Sequence, residues 1–429
     1  MQGTDAANPD PLPEIRGLKY FKTLLPLFER LHDVGCARDT AGNRDLHFDQ
    51  YAALVMLYLF NPLIGSLRTL QQSLGLPKVA QTLGVKRFSA GSFSEAPAVF
   101  EPQRLQEIIA ELAAEARPLA VDPRLADLKQ ALTLVDGTML AALPKLAQAA
   151  ALGTRYAGGR DGRDFYAWRL HTQLELKLPY PLRMDVTGAG KAGDNRENQV
   201  LRRSLEAERC YVTDAGYADY GLFDEIINIG SSYVCRVRED CAIEALEERE
   251  LSQEALAAGI VRDVIVKPGG RNPPPRQHPV RILVIQVTPR PRRTRRAEGV
   301  KVMGSRSSDL LVIATNLLEL SAELVALIYR QRYAVELFFR FLKGLLGMRH
   351  LLSQREAGVE IQSYCTIIAC LLINLWTGKK PNKRMVEMIG WYLIGLASEQ
   401  DVINFLNKPD NTGVKKRAKD ELWKKLGVN

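Results

Sequence analysis

Two aspartates each follow a short apolar run, a position from which a carboxylate can take part in catalysis or bind a metal ion. Asp136 ends the apolar run LTLVD, directly before Gly-Thr, and Asp214 ends the run CYVTD, directly before Ala-Gly-Tyr. An aspartate between a strand and a glycine is most often a turn former, which is the simplest interpretation of each residue alone. If their strands are neighbours, however, the two carboxylates repel each other unless a positive charge lies between them. A divalent cation with oxygen ligands meets that need, so the pair predicts a metal site.

A third carboxylate, Glu336, falls on a predicted helix with the sequence LIYRQRYAVELFFRFLKGLLGMRHLLS. Tyr329, Glu336 and Lys343 are seven residues apart, so they drift by only about 40° along one stripe of the helix. Arg332 lies about 60° to the side of Tyr329. A glutamate here is usually a surface residue paired with Arg332 or Arg340. Its neighbours are mostly valine, leucine and phenylalanine, however, which favours a functional role for Glu336.

The aspartates belong to a series of short apolar runs that predict strands. The first three are QALTLVDGT, YAWRLHTQLEL and YPLRMDVTGA, followed by a helix from Asn195 to Glu208, the strand CYVTD, a further helix and the strand SSYVCRV. Asp194 has the spacing of a capping box with Glu197, which is the interpretation adopted for it. The order strand, strand, strand, helix, strand is typical of a ribonuclease H-like mixed sheet, whose first and fourth strands are neighbours. The two aspartates are therefore expected side by side at one end of that sheet.

The predicted fold class is α/β, a ribonuclease H-like mixed sheet with flanking helices, a β-rich insertion before the glutamate helix and an N-terminal helical domain. The insertion is expected to hold a glutamate-rich helix and three strands, and the glutamate helix to run unbroken from about Ala322 to Leu346. For the N-terminal helices, a DNA-binding module and a plain packing domain fit about equally. The predicted division is 1–13 as a disordered lead-in, 14–118 as a helical, DNA-binding domain, 125–235 as the first part of the catalytic core, 236–318 as the insertion, 319–378 as the glutamate helix and a packing helix of the core, and 379–429 as a basic, partly helical tail.

Positive charge is concentrated in three segments of a chain whose net charge is +9. Residues 281–306 hold eight basic residues against one glutamate, 329–350 hold five against one, and 408–429 hold seven against three acidic residues. Such segregation suits a phosphate backbone, because neutralising it releases counterions. A solvated basic loop or tail is the alternative for each segment taken alone. The arginine run of the insertion is predicted to contact DNA through Arg290, Arg292, Arg293, Arg295 and Arg296.

Composition argues against several other classes of protein. The six cysteines form no CxxC pair and the five histidines do not cluster with them, which argues against a zinc module and for a reducing compartment. The apolar segment Ile361–Trp376 is shorter than the ~20 residues that cross a bilayer and contains polar residues. We expect a buried helix there and no membrane partner. The acidic, proline-rich N-terminus does not resemble a secretory signal, so we expect a cytoplasmic protein.

The residues around Glu336 carry a family resemblance. DDE transposases of the insertion-sequence-four family share a Y-x2-R-x3-E-x6-K signature, which is reproduced here by Tyr329, Arg332, Glu336 and Lys343. The following text, LFFRxLKxxLGxRHLLS, also resembles theirs, as do DGT at 136–138 and DAGY at 214–217 for their two aspartate motifs. The resemblance covers roughly residues 48–378.

The resemblance implies a DNA transposase that cuts strands at the ends of its element and transfers them into target DNA. It implies that Asp136, Asp214 and Glu336 hold two Mg²⁺ ions, for which Mn²⁺ can substitute, ~3.5 to 4 Å apart. The expected partners are double-stranded DNA, at transposon ends and target, and a second copy of the chain in a homodimer on paired ends. A bacterial, nucleoid-associated location follows from that role. The phosphates of the transposon ends are expected to contact Tyr329, Arg332, Lys343 and Arg340.

Two other classes of protein stay open from sequence alone. A metal-dependent nuclease on the same scaffold cuts DNA without joining ends, and a transposase-derived DNA-binding protein does neither. The chain also departs from the family, with Tyr333 where tryptophan is frequent and Gly193-Asp194 where His-Asp is common. Members that form a DNA hairpin stack a flipped base on an aromatic residue of the insertion, and residues 236–318 contain none. Whether a hairpin forms is therefore not predicted.

Overall fold

The computed structural model describes residues 15–141 (apart from 35, 37, 41, 43, 44 and 127), 154–156, 165–188, 196–238, 243–268, 278–287, 310–345 and 351–408. The helices in these ranges are α1 (Phe21–Glu29), α2 (Leu31–Val34), α3 (Phe48–Phe60), α4 (Leu67–Ser73), α5 (Pro77–Leu83), α6 (Ala90–Glu95), α7 (Leu105–Glu115), α8 (Glu197–Arg202), α9 (Tyr220–Asn228), α10 (Gln253–Ala257), α11 (Ala322–Gln331), α12 (Tyr333–Leu345), α13 (Glu356–Thr377), α14 (Lys383–Leu393) and α15 (Glu399–Asn407). The strands are β1 (Ala131–Ala141), β2 (Thr154–Tyr156), β3 (Phe165–Glu175), β4 (Arg183–Gly188), β5 (Arg209–Thr213), β6 (Ser232–Val237), β7 (Ile243–Glu248), β8 (Ile260–Pro268), β9 (Val280–Gln286) and β10 (Leu310–Thr315). The protein is therefore α/β.

The ten strands within the described ranges form one sheet, in the order β2-β3-β1-β5-β6-β10-β9-β8-β7, with β4 paired to β3. β1 pairs with β5 and β5 pairs with β6 in parallel. The other pairs are antiparallel, so the sheet is mixed and mostly antiparallel. The first and fourth strands of the predicted core, β1 and β5, are neighbours as the sequence analysis expects.

The register of β1 and β5 decides where the two aspartates lie. The last pair in the parallel ladder is Leu134 with Val212. Each aspartate comes two residues further on, Asp136 within β1 and Asp214 directly after the end of β5. The prediction that Asp136 ends its strand is wrong, because β1 continues to Ala141 along β3. The antiparallel partner β3 is as long as β1 and supplies hydrogen bonds beyond the point where β5 turns away. Asp136 and Asp214 are thus side by side where β1 and β5 separate.

The insertion extends the same sheet. Its strand β10 is antiparallel to β6, and β9, β8 and β7 follow outward. The prediction of a glutamate-rich helix is wrong for Ile243–Glu248, which is strand β7, and the helix α10 that follows has five residues. The physical reason is that pairing with β8 satisfies the backbone of β7, while the side chains of Glu247 and Glu248 stay exposed at the sheet edge.

The predicted glutamate helix is divided into two. Helix α11 ends at Gln331 and α12 begins at Tyr333, with Arg332 as the turn residue between them. The amide of Arg332 donates to the carbonyl of Tyr329, three residues back, which tightens the helix locally. Helix α11 packs on β5 and β6, and α12 packs on β1. The break therefore lies where the helix passes from one strand to the next.

The N-terminal helices share a hydrophobic core with α13. This apolar helix packs against α3, α7 and β4, and its side chains are buried along almost its whole length. Within the described ranges it is the one helix that is long and apolar enough to cross a membrane by length and composition. Residues 383–407, predicted as part of a basic tail, form α14 and α15, of which α14 packs against α3 and α12.

Candidate active site

Asp136 and Asp214 each accept a hydrogen bond from a nearby glycine. Oδ1 of Asp136 accepts from the amide of Gly137 at 2.8 Å, and Oδ1 of Asp214 accepts from the amide of Gly216 at 2.9 Å. The second bond caps the short 3₁₀ turn Ala215–Tyr217. Asp214 therefore forms a turn, as the simplest interpretation has it, whereas Asp136 lies within β1. The two carboxylates lie side by side where β1 and β5 separate.

Negative charge is crowded at Asp136. Burial raises the pKa of this carboxyl to about 6, and the nearby carboxylate of Asp214 contributes to the increase. The amide of Gly137 and the guanidinium of Arg332 act in the opposite direction without cancelling it. Any further positive charge that reaches the site would stabilise the ionised form of Asp136.

Arg332 joins β1 to helix α12. Its Nη1 donates to Oδ2 of Asp136 at 3.0 Å, and its Nη2 donates to Oε1 of Glu336. Burial opposes the charge of Arg332, but the nearby Tyr329 and the two carboxylates raise its pKa overall. The guanidinium is therefore the cation that now lies between the carboxylates of Asp136 and Glu336.

The three residues predicted to hold metal, Asp136, Asp214 and Glu336, thus lie near one another. Their carboxylates do not yet surround a common point. In the described part of the chain, no three His, Cys, Asp or Glu side chains already surround a common point. Arg332 occupies the space between two of the carboxylates. The donors are nevertheless the oxygens that hard divalent ions prefer.

The other predicted contacts have different surroundings. Nζ of Lys343 donates to Oγ1 of Thr138 at 2.6 Å, so the end of α12 touches the DGT segment of β1, and burial lowers the pKa of Lys343. Burial also raises the pKa of Tyr329. Arg340 lies on the exposed side of α12, 5.3 Å from the ring centre of Tyr333, and does not join the carboxylates.

Part of the predicted site lies outside the described residues. This applies to the arginine run, whose members are Arg290, Arg292, Arg293, Arg295 and Arg296, and to Gly193 and Asp194. Their roles stay predictions.

Glu197 belongs to a charged pair at the site that was not predicted. Its capping box with Asp194 stays a prediction, because Asp194 lies outside the described residues. The Glu197 side chain lies against Gly137 and Gly216, where its Oε1 accepts from Nη1 of Arg169 at 2.6 Å. The feature of the sequence that could have indicated this contact is a glycine one or two residues after each aspartate, because a glycine leaves room for a further side chain.

Carboxylates that lie with arginine and lysine side chains where parallel strands separate form a site suited to metal-dependent chemistry on phosphates. Residues 127–372 match the model of the family described as Transposase DDE domain. That match covers more than half of the chain, so the chain belongs to the Transposase DDE domain family.

Two curated relatives are named as transposases. A protein of Sinorhizobium fredii, named as transposase y4zB, is 23% identical over 208 residues, which are 48% of this chain and 52% of that protein. A Geobacillus stearothermophilus protein, named as a transposase for insertion sequence element IS5377, is 25% identical over 217 residues, 50% of this chain and 51% of that protein. The chain thus spans about half the length of these relatives. A cryo-EM structure of a piggyBac transposase synaptic complex with hairpin DNA aligns at 11% identity over 96% of this chain and 86% of that chain, with a TM-score of 0.40, too low to bear on the fold.

Proposed function

We propose that this chain is a DNA transposase that cuts strands at the ends of a mobile element and joins them to target DNA. The observation that carries the proposal is the position of Arg332, whose guanidinium joins Asp136 to Glu336 beside the carboxylate of Asp214. Membership of the Transposase DDE domain family supports the same function. The Y-x2-R-x3-E-x6-K signature further supports a transposase of the insertion-sequence-four type.

The catalytic core is proposed to be ribonuclease H-like. The strand order β4-β3-β1-β5-β6, with β1, β5 and β6 parallel, supports this assignment. So does the position of the glutamate helix, because α12 packs on β1, the strand that carries Asp136. In this arrangement one carboxylate comes from each of three elements that are far apart in the sequence.

The residues of the site fit divalent metal ions. Oxygen donors suit hard cations, and the raised pKa of Asp136 reflects negative charge that a cation would compensate. Asp136, Asp214 and Glu336 would hold two Mg²⁺ ions, or Mn²⁺ in their place, once Arg332 has moved off the carboxylates. When bound, such ions supply activation of the attacking oxygen and stabilisation of the leaving oxygen.

The cationic side chains of the chain act on phosphate. Arg332 can turn from the carboxylates of Asp136 and Glu336 to a phosphate, whose oxygens its planar guanidinium matches as a fork. Lys343 supplies a point charge from α12, and Thr138 fixes the position of its ammonium group. Tyr329 lies close enough to Arg332 for the two side chains to interact.

Two reactions use the same site. In the first, water attacks the phosphorus at the element end, the P–O3′ bond breaks, and the element strand leaves with a free 3′ hydroxyl. In the second, that hydroxyl attacks a phosphorus of the target strand, and the target's own 3′ oxygen leaves. Neither step needs energy from a nucleotide. The first is hydrolysis of a phosphodiester by water, and the second replaces one phosphodiester with another.

The proposed partners follow from these reactions. Double-stranded DNA binds as transposon ends and as target, and a second copy of the chain holds the paired ends so that both are joined together. The N-terminal helices 14–118 and Arg340 are proposed as additional DNA contacts. We propose that the protein acts on the nucleoid, in the bacterial cytoplasm.

A strand-transfer assay tests the proposal against its alternatives. The full chain is incubated in Mg²⁺ with a target plasmid and an element end that carries a free 3′ hydroxyl, taken from the DNA that flanks the gene. A transposase joins that end covalently to the plasmid. A nuclease on the same scaffold nicks DNA without joining it, and a DNA-binding descendant does neither. Either of the last two results contradicts the proposal.

A further inference from the structure

The carboxylate of Glu197 lies against the segments that follow both aspartates. The position that a Cβ would take at Gly216 is 2.6 Å from Oε2 of Glu197 and 3.0 Å from Oδ1 of Asp214. The corresponding position at Gly137 is 3.0 Å from Oε1 of Glu197. A side chain at 216 would overlap the Glu197 carboxylate outright, so the glycine following each aspartate leaves the space that Glu197 fills.

Two further side chains point into the same space. Arg169, on β3, is largely buried and holds Oε1 of Glu197 through its Nη1. Tyr217 is 1% exposed, and its hydroxyl has no hydrogen-bond partner among the described residues. Burial, and then the carboxylates of Glu197, Asp136 and Asp214, raise the pKa of this phenol well above its usual value. A buried hydroxyl that has no partner among the described residues and lies beside three carboxylates points to a polar ligand at this site.

We propose that Glu197 is a fourth carboxylate ligand of the metal centre, held in position by Arg169. The inference rests on the proposed function, because it assigns Glu197 to the site formed by Asp136, Asp214 and Glu336. The hydroxyl of Tyr217 is then placed to donate to one of these carboxylates. Glu197 and Asp214 come from α8 and from the residue after β5, so an ion held by both would tie the two elements together.

A purely structural ion pair is the competing explanation. A pair between Arg169 and Glu197 would fasten α8 to β3, but a third carboxylate beside Asp136 and Asp214 adds repulsion to the metal-free fold. Buried ion pairs are also weak stabilisers, since desolvation offsets their attraction. When a divalent ion is bound, an additional carboxylate stabilises the site instead, because its attraction to the ion outweighs its repulsion from the other carboxylates.

The experiment is a titration of the full chain with Mn²⁺, without DNA, in which free Mn²⁺ is measured by electron paramagnetic resonance. Glu197→Gln keeps an oxygen that accepts from Arg169 but removes the charge. We expect the variant to bind at least one Mn²⁺ about tenfold more weakly or worse. The rise in unfolding temperature that Mn²⁺ produces should shrink with it, since that rise reports binding to the folded state.

Three further variants make the outcome decisive. Glu225→Gln, on α9 and paired with Arg202, is the matched control and should bind Mn²⁺ as the wild type does. If Asp136→Asn loses binding and Glu197→Gln does not, Glu197 is a structural residue and the inference is overturned while the proposed function stands. If Asp136→Asn also binds Mn²⁺ normally, both are overturned. If Glu197→Gln fails to fold, Glu197→Asp is titrated in its place. Its shorter side chain keeps the charge but no longer reaches the metal, so weaker Mn²⁺ binding supports the inference and wild-type binding overturns it.

Discussion

Nη1 of Arg332 lies 3.0 Å from Oδ2 of Asp136, across 196 positions of sequence, and the same guanidinium donates to Glu336. Arg332 therefore compensates the carboxylates in the metal-free protein and has to leave them before an ion can bind there. In the proposed mechanism the Arg332 side chain contacts either these carboxylates or a DNA phosphate, but not both at once.

Replacing Arg332 should separate those two roles. Arg332→Met removes the cation that competes for the carboxylates, so Mn²⁺ should bind the DNA-free variant at least as tightly as the wild type. Cleavage of element ends should fall by about 100-fold or more, because a charge-assisted phosphate contact of the transition state is lost. Calorimetric titration and a cleavage time course measure the two effects. Weaker Mn²⁺ binding in Arg332→Met would show that the arginine supports the metal site.

The contact between Lys343 and Thr138 predicts a measurable salt dependence. If Lys343 neutralises one phosphate, Lys343→Met should lower the slope of log affinity against log salt by about 0.9 on duplex DNA. Thr138→Val is the matched control, because it removes the 2.6 Å hydrogen bond and keeps the charge. Its slope should stay that of the wild type. Equal slopes for wild type and Lys343→Met would place Lys343 away from the DNA.

His171 predicts a loss of stability in acid. Burial, and then the charge of Arg169, lower the pKa of this histidine to about 4, below the ordinary value of about 6.5. The unfolded chain therefore takes up the proton first, and stability that is present above pH 6.5 is lost as the pH falls towards 4. Between pH 7 and pH 4.5 this single group should account for about 2 to 3 kcal/mol of the free energy of unfolding.

Urea unfolding at the two pH values measures that effect. His171→Gln removes the titrating group and retains a partner for Oγ1 of Thr187, the present neighbour of Nε2. The difference in unfolding free energy between pH 7 and pH 4.5 should shrink by the same 2 to 3 kcal/mol in the variant. His278→Gln, at a partly exposed position, is the control. An undiminished pH difference in His171→Gln would contradict the account of its burial.

Local pattern was enough to predict the strands that carry the aspartates and the helix that carries Glu336. Apolar runs ending in an aspartate, and a seven-residue repeat on a helix, are properties of neighbouring residues. The neighbouring positions of β1 and β5 also follow from the order of the elements. The resemblance of residues 329–343 to the insertion-sequence-four family implied that Glu336 joins the two aspartates, so the three could be proposed together before any contact was known.

Other features depend on partners that are distant in sequence. Strand β7 forms because β8 is available to pair with it, although its composition favours a helix. The break at Arg332 arises because α11 and α12 pack on different strands. Glu197 reads as a capping residue beside Asp194, and its contact with Arg169 needs α8 to lie over β3, which no spacing in the chain reveals.

The most direct test of the account is cleavage of an element end in Mg²⁺ by Asp136→Asn, Asp214→Asn and Glu336→Gln, measured beside binding of the same end. Each variant should lose cleavage, because removal of one ligand costs several kcal/mol at the transition state. Each should bind the end nearly as the wild type does, because phosphate contacts that dominate affinity lie on other residues. Wild-type cleavage by any one of the three would contradict the role assigned to that carboxylate, and wild-type cleavage by all three would contradict the site itself.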